Sequence, residues 1–229
     1  MAVRERIEGA AKRAGRRADE ITLIAVSKTY PADAIRAVFE RGIRHFGENR
    51  VQEWEGKRAP LENLSAEWHL IGHLQSNKAA KAARLFHSVD SVDDFSLAQR
   101  LDRARADLAE KRKLRVLIEV RIAPEATKSG IARHGLAALA AEVSSLDHLD
   151  LHGLMCIPPF LENPEEVRPY FSELRALKDD LEHTLGKPLP VLSMGMSHDF
   201  EVAIEEGATE VRVGTAIFGT RIVPPHPSA

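Results

Sequence analysis

Short hydrophobic runs alternate with amphipathic stretches along nearly the whole chain. Several of these runs are continuously apolar or nearly so, such as LIAV (23–26) and VLIEV (116–120), and do not alternate between apolar and polar residues. This pattern is typical of parallel strands that are covered on both faces. We predict a strand at each of eight runs: 21–27, 43–47, 68–72, 86–89, 116–121, 151–157, 191–195 and 210–214.

The segments between these runs have the spacing of helices. Residues 32–41 place their apolar side chains on one face and stop before a glycine, and a second apolar stripe runs through 136–146. Asn163, followed by a proline and two glutamates, is a strong helix start, and we expect that helix to end near Gly186. A basic, alanine-rich helix is predicted within 1–17, before the first strand.

Eight strands that alternate with helices in 229 residues favour a single (β/α)₈ barrel, the TIM-barrel class of α/β fold. A doubly wound open sheet is the alternative, and it usually has a glycine-rich phosphate turn after the first strand. The corresponding turn here, SKTYP (27–31), contains no glycine. We therefore predict one α/β barrel domain over 1–229, with a flexible tail at 223–229.

Composition and charge narrow the possible partners. The chain is 44% hydrophobic and 29% charged, and its formal net charge of −2 creates no global attraction to nucleic acid or anionic membranes. The basic run at 111–113 is interpreted as a solvated helix face. The single cysteine excludes an internal disulfide, and neither a signal-peptide core nor an apolar run of ~20 residues is present. We expect a cytoplasmic protein with no nucleic-acid or membrane partner.

Lys28 directly follows the first predicted strand. In a barrel of this type, functional groups lie at the C-terminal ends of the strands. Partial desolvation there favours the neutral amine, which can attack an aldehyde to form a Schiff base. For this residue taken alone, however, a structural lysine at a strand end is the more common explanation.

The last two predicted strands end in small and hydroxyl-bearing residues. Ser197 is expected to open a helix that runs through Ile204, and Gly214 and Thr215 are expected to open a short helical turn. Each segment could be an ordinary turn or cap. Phosphate sites in barrels, however, are often built from the loops after strands 7 and 8. As a pair on adjacent strands, these loops predict a phosphate site.

Other candidate residues carry less weight. His69 and His73 are four apart but lack the glutamate of an HExxH motif, so we predict no metal site. Cys156 has no activating partner in the sequence and is interpreted as a packed core residue. Glu119 has no carboxylate partner that would suggest a glycosidase. TKSG (127–130) could reach an anion but is interpreted first as a loop before a helix.

Several motifs together resemble the pyridoxal phosphate homeostasis protein family. They cover nearly the whole chain in the family's order: AVSKTYP (25–31), FGENRVQE (46–53), WHLIGHLQSNK (68–78), HSVDSV (87–92), TKSG (127–130), GLMCIPP (153–159), LSMGMSHDFEVAI (192–204) and VRVGTAIFGTR (211–221). The resemblance implies the barrel of the N-terminal domain of alanine racemase, a fold-type III fold, without the C-terminal β domain.

The resemblance also implies that pyridoxal 5'-phosphate (PLP) is the cofactor and that Lys28 binds it covalently as a Schiff base. Asn49 would lie near the pyridine ring and its 3-oxygen, and the guanidinium of Arg212 would face the ring nitrogen. The resemblance assigns the phosphate to three residues, Ser197, Gly214 and Thr215. Departures from the family pattern include Arg50, where many members have tyrosine, and 198–199, which we expect in a surface loop.

The same assignment limits the chemistry. An arginine, with its pKa above ~12, donates a hydrogen bond to the ring nitrogen but no proton, so the ring is a weak electron sink. A racemase also needs an acid/base group on the opposite face of the substrate carbon. In alanine racemase that group is a tyrosine of a second domain, whereas the tyrosines here are Tyr30 and Tyr170, the latter in a predicted helix.

We therefore expect a non-catalytic, monomeric PLP carrier that buffers the cofactor or delivers it transiently to apo PLP-dependent enzymes. An amino-acid racemase or another PLP enzyme of weak or narrow activity is the alternative. A barrel that binds a different phosphorylated ligand is a third reading.

Overall fold

A closed barrel forms the centre of the chain in the computed structural model, which describes residues 2–108, 112–123 and 129–219. All neighbouring strands are parallel, and the last pairs with the first. Each of the eight predicted strands is present, so the barrel is confirmed and the open-sheet alternative is wrong. The strands are β1 (Thr22–Val26), β2 (His45–Glu48), β3 (Glu67–Leu70), β4 (Ser88–Val92), β5 (Leu114–Glu119), β6 (Leu149–Met155), β7 (Val191–Met196) and β8 (Glu210–Val213).

Helices surround the barrel and cover the outer faces of the strands. Strand residues such as Phe46, Ile118 and Val213 are therefore fully buried, as the continuous apolar runs require. The helices are α1 (Ala2–Arg13), α2 (Ala32–Glu40), α3 (Val51–Lys57), α4 (Ala79–Leu85), α5 (Phe95–Ala106), α6 (Arg133–Ser144), α7 (Arg168–Leu185), α8 (Phe200–Glu205) and α9 (Thr215–Phe218).

The boundaries of the predicted helices follow local capping chemistry. The side chain of Asn163 accepts a hydrogen bond from the N–H of Glu165 at 3.1 Å and begins a 3₁₀ turn, Pro164–Val167, that leads into α7. Gly186 ends α7 in the left-handed region at φ 64°, as expected for a C-terminal glycine. The first helix is shorter than predicted and ends at Arg13.

Helix α1 packs against the barrel next to α8. Ile7 and Ala10 are buried on its inner face. Arg6 pairs with Glu201 and Arg13 with Glu205, both at 2.7 Å. No helix within the described ranges is long and apolar enough to cross a membrane. Arg112 and Lys113 of the basic run are exposed but lie in the loop before β5, so the interpretation of this run as a helix face is wrong for these two residues. Lys111 and the predicted tail at 223–229 lie outside the described residues.

Candidate functional site

Lys28 lies at the C-terminal mouth of the barrel, two residues beyond the end of β1. Ser27 is fully buried and donates its N–H to Gly47 O at 2.9 Å, which extends the β1–β2 pairing up to the lysine. Lys28 itself is half-buried, and Thr29 follows in the left-handed region at φ 69°. Since the backbone before Lys28 is part of the barrel wall, the base of its side chain is held at the rim.

Asn49 lies next to this position, directly after β2, and its close neighbour is Gly72, two residues beyond the end of β3. A Cβ atom at Gly72 would lie 2.5 Å from Asn49 O and 2.9 Å from Asn49 Cα. Only glycine therefore allows the Asn49 backbone to pass this closely over the end of β3. Asn49 is brought to the mouth, while its contact with a pyridine ring stays a prediction.

The loops after β7 and β8 meet at the other side of Lys28. The N–H of Gly214 donates to Ser197 Oγ at 3.2 Å, so the two predicted phosphate loops are in direct contact. Thr215 follows Gly214 as the first residue of α9 and is exposed. The three residues assigned to the phosphate are thus neighbours, although phosphate binding itself stays a prediction.

The turn after β7 differs from the one expected. Helix α8 begins at Phe200, so the expectation that Ser197 opens it is wrong. The Asp199 carboxylate folds back and accepts the N–H of Met196 at 2.6 Å, which forms a separate turn before the helix. Asp199 is 5% exposed, so placing 198–199 in a surface loop is wrong for this residue. Burial raises the pKa of the Asp199 carboxyl.

Arg212 lies within the barrel below the mouth and is 3% exposed. Its guanidinium donates to Ser193 Oγ and to Cys156 O, both at 2.8 Å. These bonds fix the guanidinium plane while it has further N–H groups to offer. The predicted orientation toward a pyridine nitrogen requires such a fixed group, and it stays a prediction.

The pairing of β1 with β8 brings the lysine and the phosphate loops together. Ala25 on β1 pairs with Val213 on β8. Lys28 comes three residues after Ala25 and Thr215 two residues after Val213, so both lie just above this pair. Above them, Tyr30 donates its hydroxyl to Gly219 O at 2.8 Å and stacks on Phe218 at 4.5 Å between ring centroids. The first and last loops therefore form one continuous side of the mouth.

A buried carboxyl group that the sequence did not assign to the site lies at the end of β5, opposite β1 in the strand order. Glu119 is 3% exposed and accepts the hydroxyl of Ser129 at 2.7 Å. Burial, together with the charge of Asp93, raises its pKa. Glu119 thus anchors Ser129, which lies four residues before the start of α6. Of the segment 127–130, interpreted from the sequence as a loop before a helix, residues 127–128 lie outside the described ranges.

The two histidines considered for a metal do not share a site. His73 is at the mouth, with Nδ1 3.7 Å from Asp93 Oδ2. His69 is buried in the lower half of the barrel, where one of its ring nitrogens lies within 4.8 Å of a carboxylate oxygen of Asp90 and of Glu210. The guanidinium of Arg115 stands 3.0 Å from His69 and 2.8 Å from Glu210, so the protein supplies its own cation there.

An ionic network beneath the Lys28 turn had no signal in the sequence. Lys57 Nζ lies 2.8 Å from Glu48 Oε1 and 3.0 Å from Glu53 Oε1. Lys57 thereby joins the end of β2 to α3.

Taken together, the site presents the amine of Lys28, the fixed guanidinium of Arg212 and a pair of loops lined by hydroxyl groups. This arrangement can hold an aldehyde that carries a phosphate.

Comparisons with known proteins show which family the chain resembles over its length. A family model described as the alanine racemase N-terminal domain matches residues 2–222. The pyridoxal phosphate homeostasis protein of Aquifex aeolicus (strain VF5) is 46% identical over 221 residues, which covers 96% of this chain and 95% of the relative. The protein of the same name from Pseudomonas aeruginosa is 48% identical over 219 residues, covering 96% and 93%.

Solved structures show the same fold. PipY of Synechococcus elongatus PCC7942, with PLP bound, is 40% identical with a TM-score of 0.82, covering 93% of this chain and 100% of PipY. Alanine racemase of Clostridium difficile 630 has a TM-score of 0.72 at 14% identity, covering 96% of this chain and 56% of the racemase. At this identity, the similarity to alanine racemase shows a shared barrel fold.

Proposed function

The chain belongs to the pyridoxal phosphate homeostasis protein family, and on that premise we propose that it binds PLP at the barrel mouth, covalently through Lys28. The relative PipY has been solved with PLP bound, and similar proteins bear the homeostasis name at nearly full coverage. The proposed role is to hold PLP in reserve and release it to apo PLP-dependent enzymes.

The observation that carries this proposal is the place of Lys28 beside the joined loops of β7 and β8. The Ser197–Gly214 hydrogen bond and the Ala25–Val213 register put a hydroxyl and backbone N–H groups on the same side of the mouth as the lysine. A phosphate bound there would direct the aldehyde of the cofactor toward the amine. The Lys28 amine would attack the aldehyde carbon, and the aldehyde oxygen would leave as water.

The fixed guanidinium of Arg212 supports storage of the cofactor more than catalysis with it. A guanidinium keeps its protons, so it would hold the ring nitrogen by a hydrogen bond without protonating it. Protonation of that nitrogen is what makes the cofactor a strong electron sink. The residues of the mouth therefore suit binding and orientation.

Weak enzymatic activity is the second candidate, and the Glu119 carboxyl favours it. A buried carboxyl whose pKa is raised by burial has the character of a general acid or base. It lies at the end of β5, across the barrel from Lys28. Its hydrogen bond with Ser129 and its 3% exposure, however, point to a structural anchor.

Two measurements on the purified protein test the proposal. Titration of the wild type with PLP is expected to produce the visible absorbance band of a Schiff base. The band should be absent in Lys28→Ala and present in Lys81→Ala, because Lys81 pairs with Glu55 on the outside of the barrel. No exchange of the α-proton is expected when a panel of amino acids is incubated in heavy water with the loaded protein. Absence of the band would overturn PLP binding through Lys28, and sustained exchange would favour the enzyme.

A further inference from the structure

The turn that carries Lys28 is held in an unfavourable backbone conformation. Thr29 is a β-branched residue with φ 69°, in the left-handed region that is sterically unfavourable for such a side chain. The N–H of Tyr30 closes the turn onto Ser27 O at 3.1 Å. Such a conformation persists only where the surroundings fix it.

Lys57 is the residue that fixes this turn from below. Its ammonium group donates to Ser27 O at 2.9 Å and to Tyr30 O at 3.4 Å, one carbonyl on each side of Lys28. Its side chain is 14% exposed, so these bonds form largely out of water. The backbone on both sides of Lys28 is thereby tied to α3.

Two carboxylates complete the network around Lys57. Glu53 Oε1 lies 3.0 Å from Lys57 Nζ and also accepts the N–H of Thr29 at 2.5 Å, which directly supports the left-handed residue. Glu48 is fully buried and accepts both Lys57 Nζ at 2.8 Å and the hydroxyl of Ser27 at 2.5 Å. Without the ammonium group, Glu48 would be a buried charge with one hydrogen bond to a hydroxyl.

We propose that Lys57 is a positioning residue that holds the Ser27–Tyr30 turn so that the Lys28 amine meets the cofactor aldehyde. This inference rests on the proposed function, since it concerns the covalent step at the same site. In that step the Lys28 nitrogen forms a bond to the aldehyde carbon and the aldehyde oxygen leaves as water. Lys57 contributes through the backbone of the turn and takes no part in the bond.

The test compares PLP with pyridoxine 5'-phosphate, which has an alcohol in place of the aldehyde and cannot form a Schiff base. The dissociation constant of pyridoxine 5'-phosphate divided by that of PLP measures the covalent contribution. Lys57→Met is expected to reduce this ratio about 10-fold while the affinity for pyridoxine 5'-phosphate changes less than about twofold. Lys81→Met, which removes an ammonium group paired with Glu55 at 2.7 Å, is the matched control and should leave both affinities unchanged.

The outcomes separate this inference from the proposed function. A wild-type protein that binds both ligands equally, without an absorbance band, would overturn covalent binding itself. If Lys57→Met keeps the ratio of dissociation constants found for the wild type, only the role of Lys57 is overturned. An equal loss of affinity for both ligands in Lys57→Met would overturn that role as well. If Lys57→Met does not fold, Glu53→Ala serves instead, because it removes the acceptor of the Thr29 N–H, and its ratio must fall for the proposal to stand.

Discussion

Replacing Gly72 with alanine should disturb the mouth of the barrel by a predictable amount. The new Cβ would lie 2.5 Å from Asn49 O, whereas ordinary contacts begin at 3.4 Å, so the oxygen must move by 3.4 − 2.5 = 0.9 Å. The obstructing atoms belong to the backbone, including Asn49 Cα at 2.9 Å, and cannot rotate away. Overpacking of this kind typically costs ~1–3 kcal/mol.

Gly56→Ala is the matched control. Gly56 lies in α3 and is exposed, and apart from its chain neighbours and the backbone of its own helix, nothing lies within 4 Å of the position of a Cβ. The same substitution there should stabilise the protein by about 0.5–1 kcal/mol, because alanine has less conformational freedom to lose in a helix.

Urea unfolding and PLP titration measure the two effects separately. For Gly72→Ala we expect a free energy of unfolding lower by ~1–3 kcal/mol and an affinity for PLP lower by roughly 10-fold, since Asn49 is displaced. A Gly72→Ala protein with the stability and affinity of the wild type would refute the close approach of the two strand ends and the place of Asn49 at the site.

Three further predictions concern pH, reactivity and loop packing. Burial beside His69 lowers the pKa of His45 to about 4, so the unfolded state binds more protons between about pH 6.5 and 4, and the free energy of unfolding falls as the pH drops through that window. The full effect of up to roughly 3 kcal/mol is reduced by partial exposure to ~1–2 kcal/mol. The loss of stability between pH 7 and 4.5, measured by thermal unfolding, should therefore be smaller in His45→Asn than in the wild type. Burial also raises the pKa of the Cys156 thiol to about 12, so it should react with a thiol reagent at pH 8 only after unfolding, and rapid reaction of the native protein would contradict its burial. Tyr30→Phe keeps the ring but loses the bond to Gly219, which should lower the free energy of unfolding by ~0.5–1.5 kcal/mol in urea, and an unchanged value would show that this bond adds no stability.

Much of the barrel could be predicted from the sequence because its strands are buried on both faces. Continuous apolar runs mark such strands without any knowledge of their partners, and all eight were identified. Capping residues are equally local, so the start at Asn163 and the end at Gly186 were correct. The start of α8 was wrong because the Asp199 side chain bonds backward to Met196 and closes a separate turn before the helix.

The parts of the site that were missed depend on pairs distant in sequence. Lys57 bonds to a carbonyl 30 residues earlier, and Glu48 to a hydroxyl 21 residues earlier, so neither contact leaves a spacing pattern. The cluster of His69, Arg115 and Glu210 draws on three different strands and has the same limitation. Glu119 gave no signal because it had no carboxylate partner that would suggest a glycosidase, whereas burial is what raises its pKa.

Borohydride reduction of the PLP-loaded protein, followed by peptide mapping, tests the central claim most directly. Reduction converts a Schiff base into a stable secondary amine, which marks the lysine that formed it. The account predicts one labelled peptide, the one that contains Lys28, and no label at that peptide in Lys28→Ala. A label confined to other lysines, or an unlabelled protein, would contradict the claim that the end of β1 holds the cofactor.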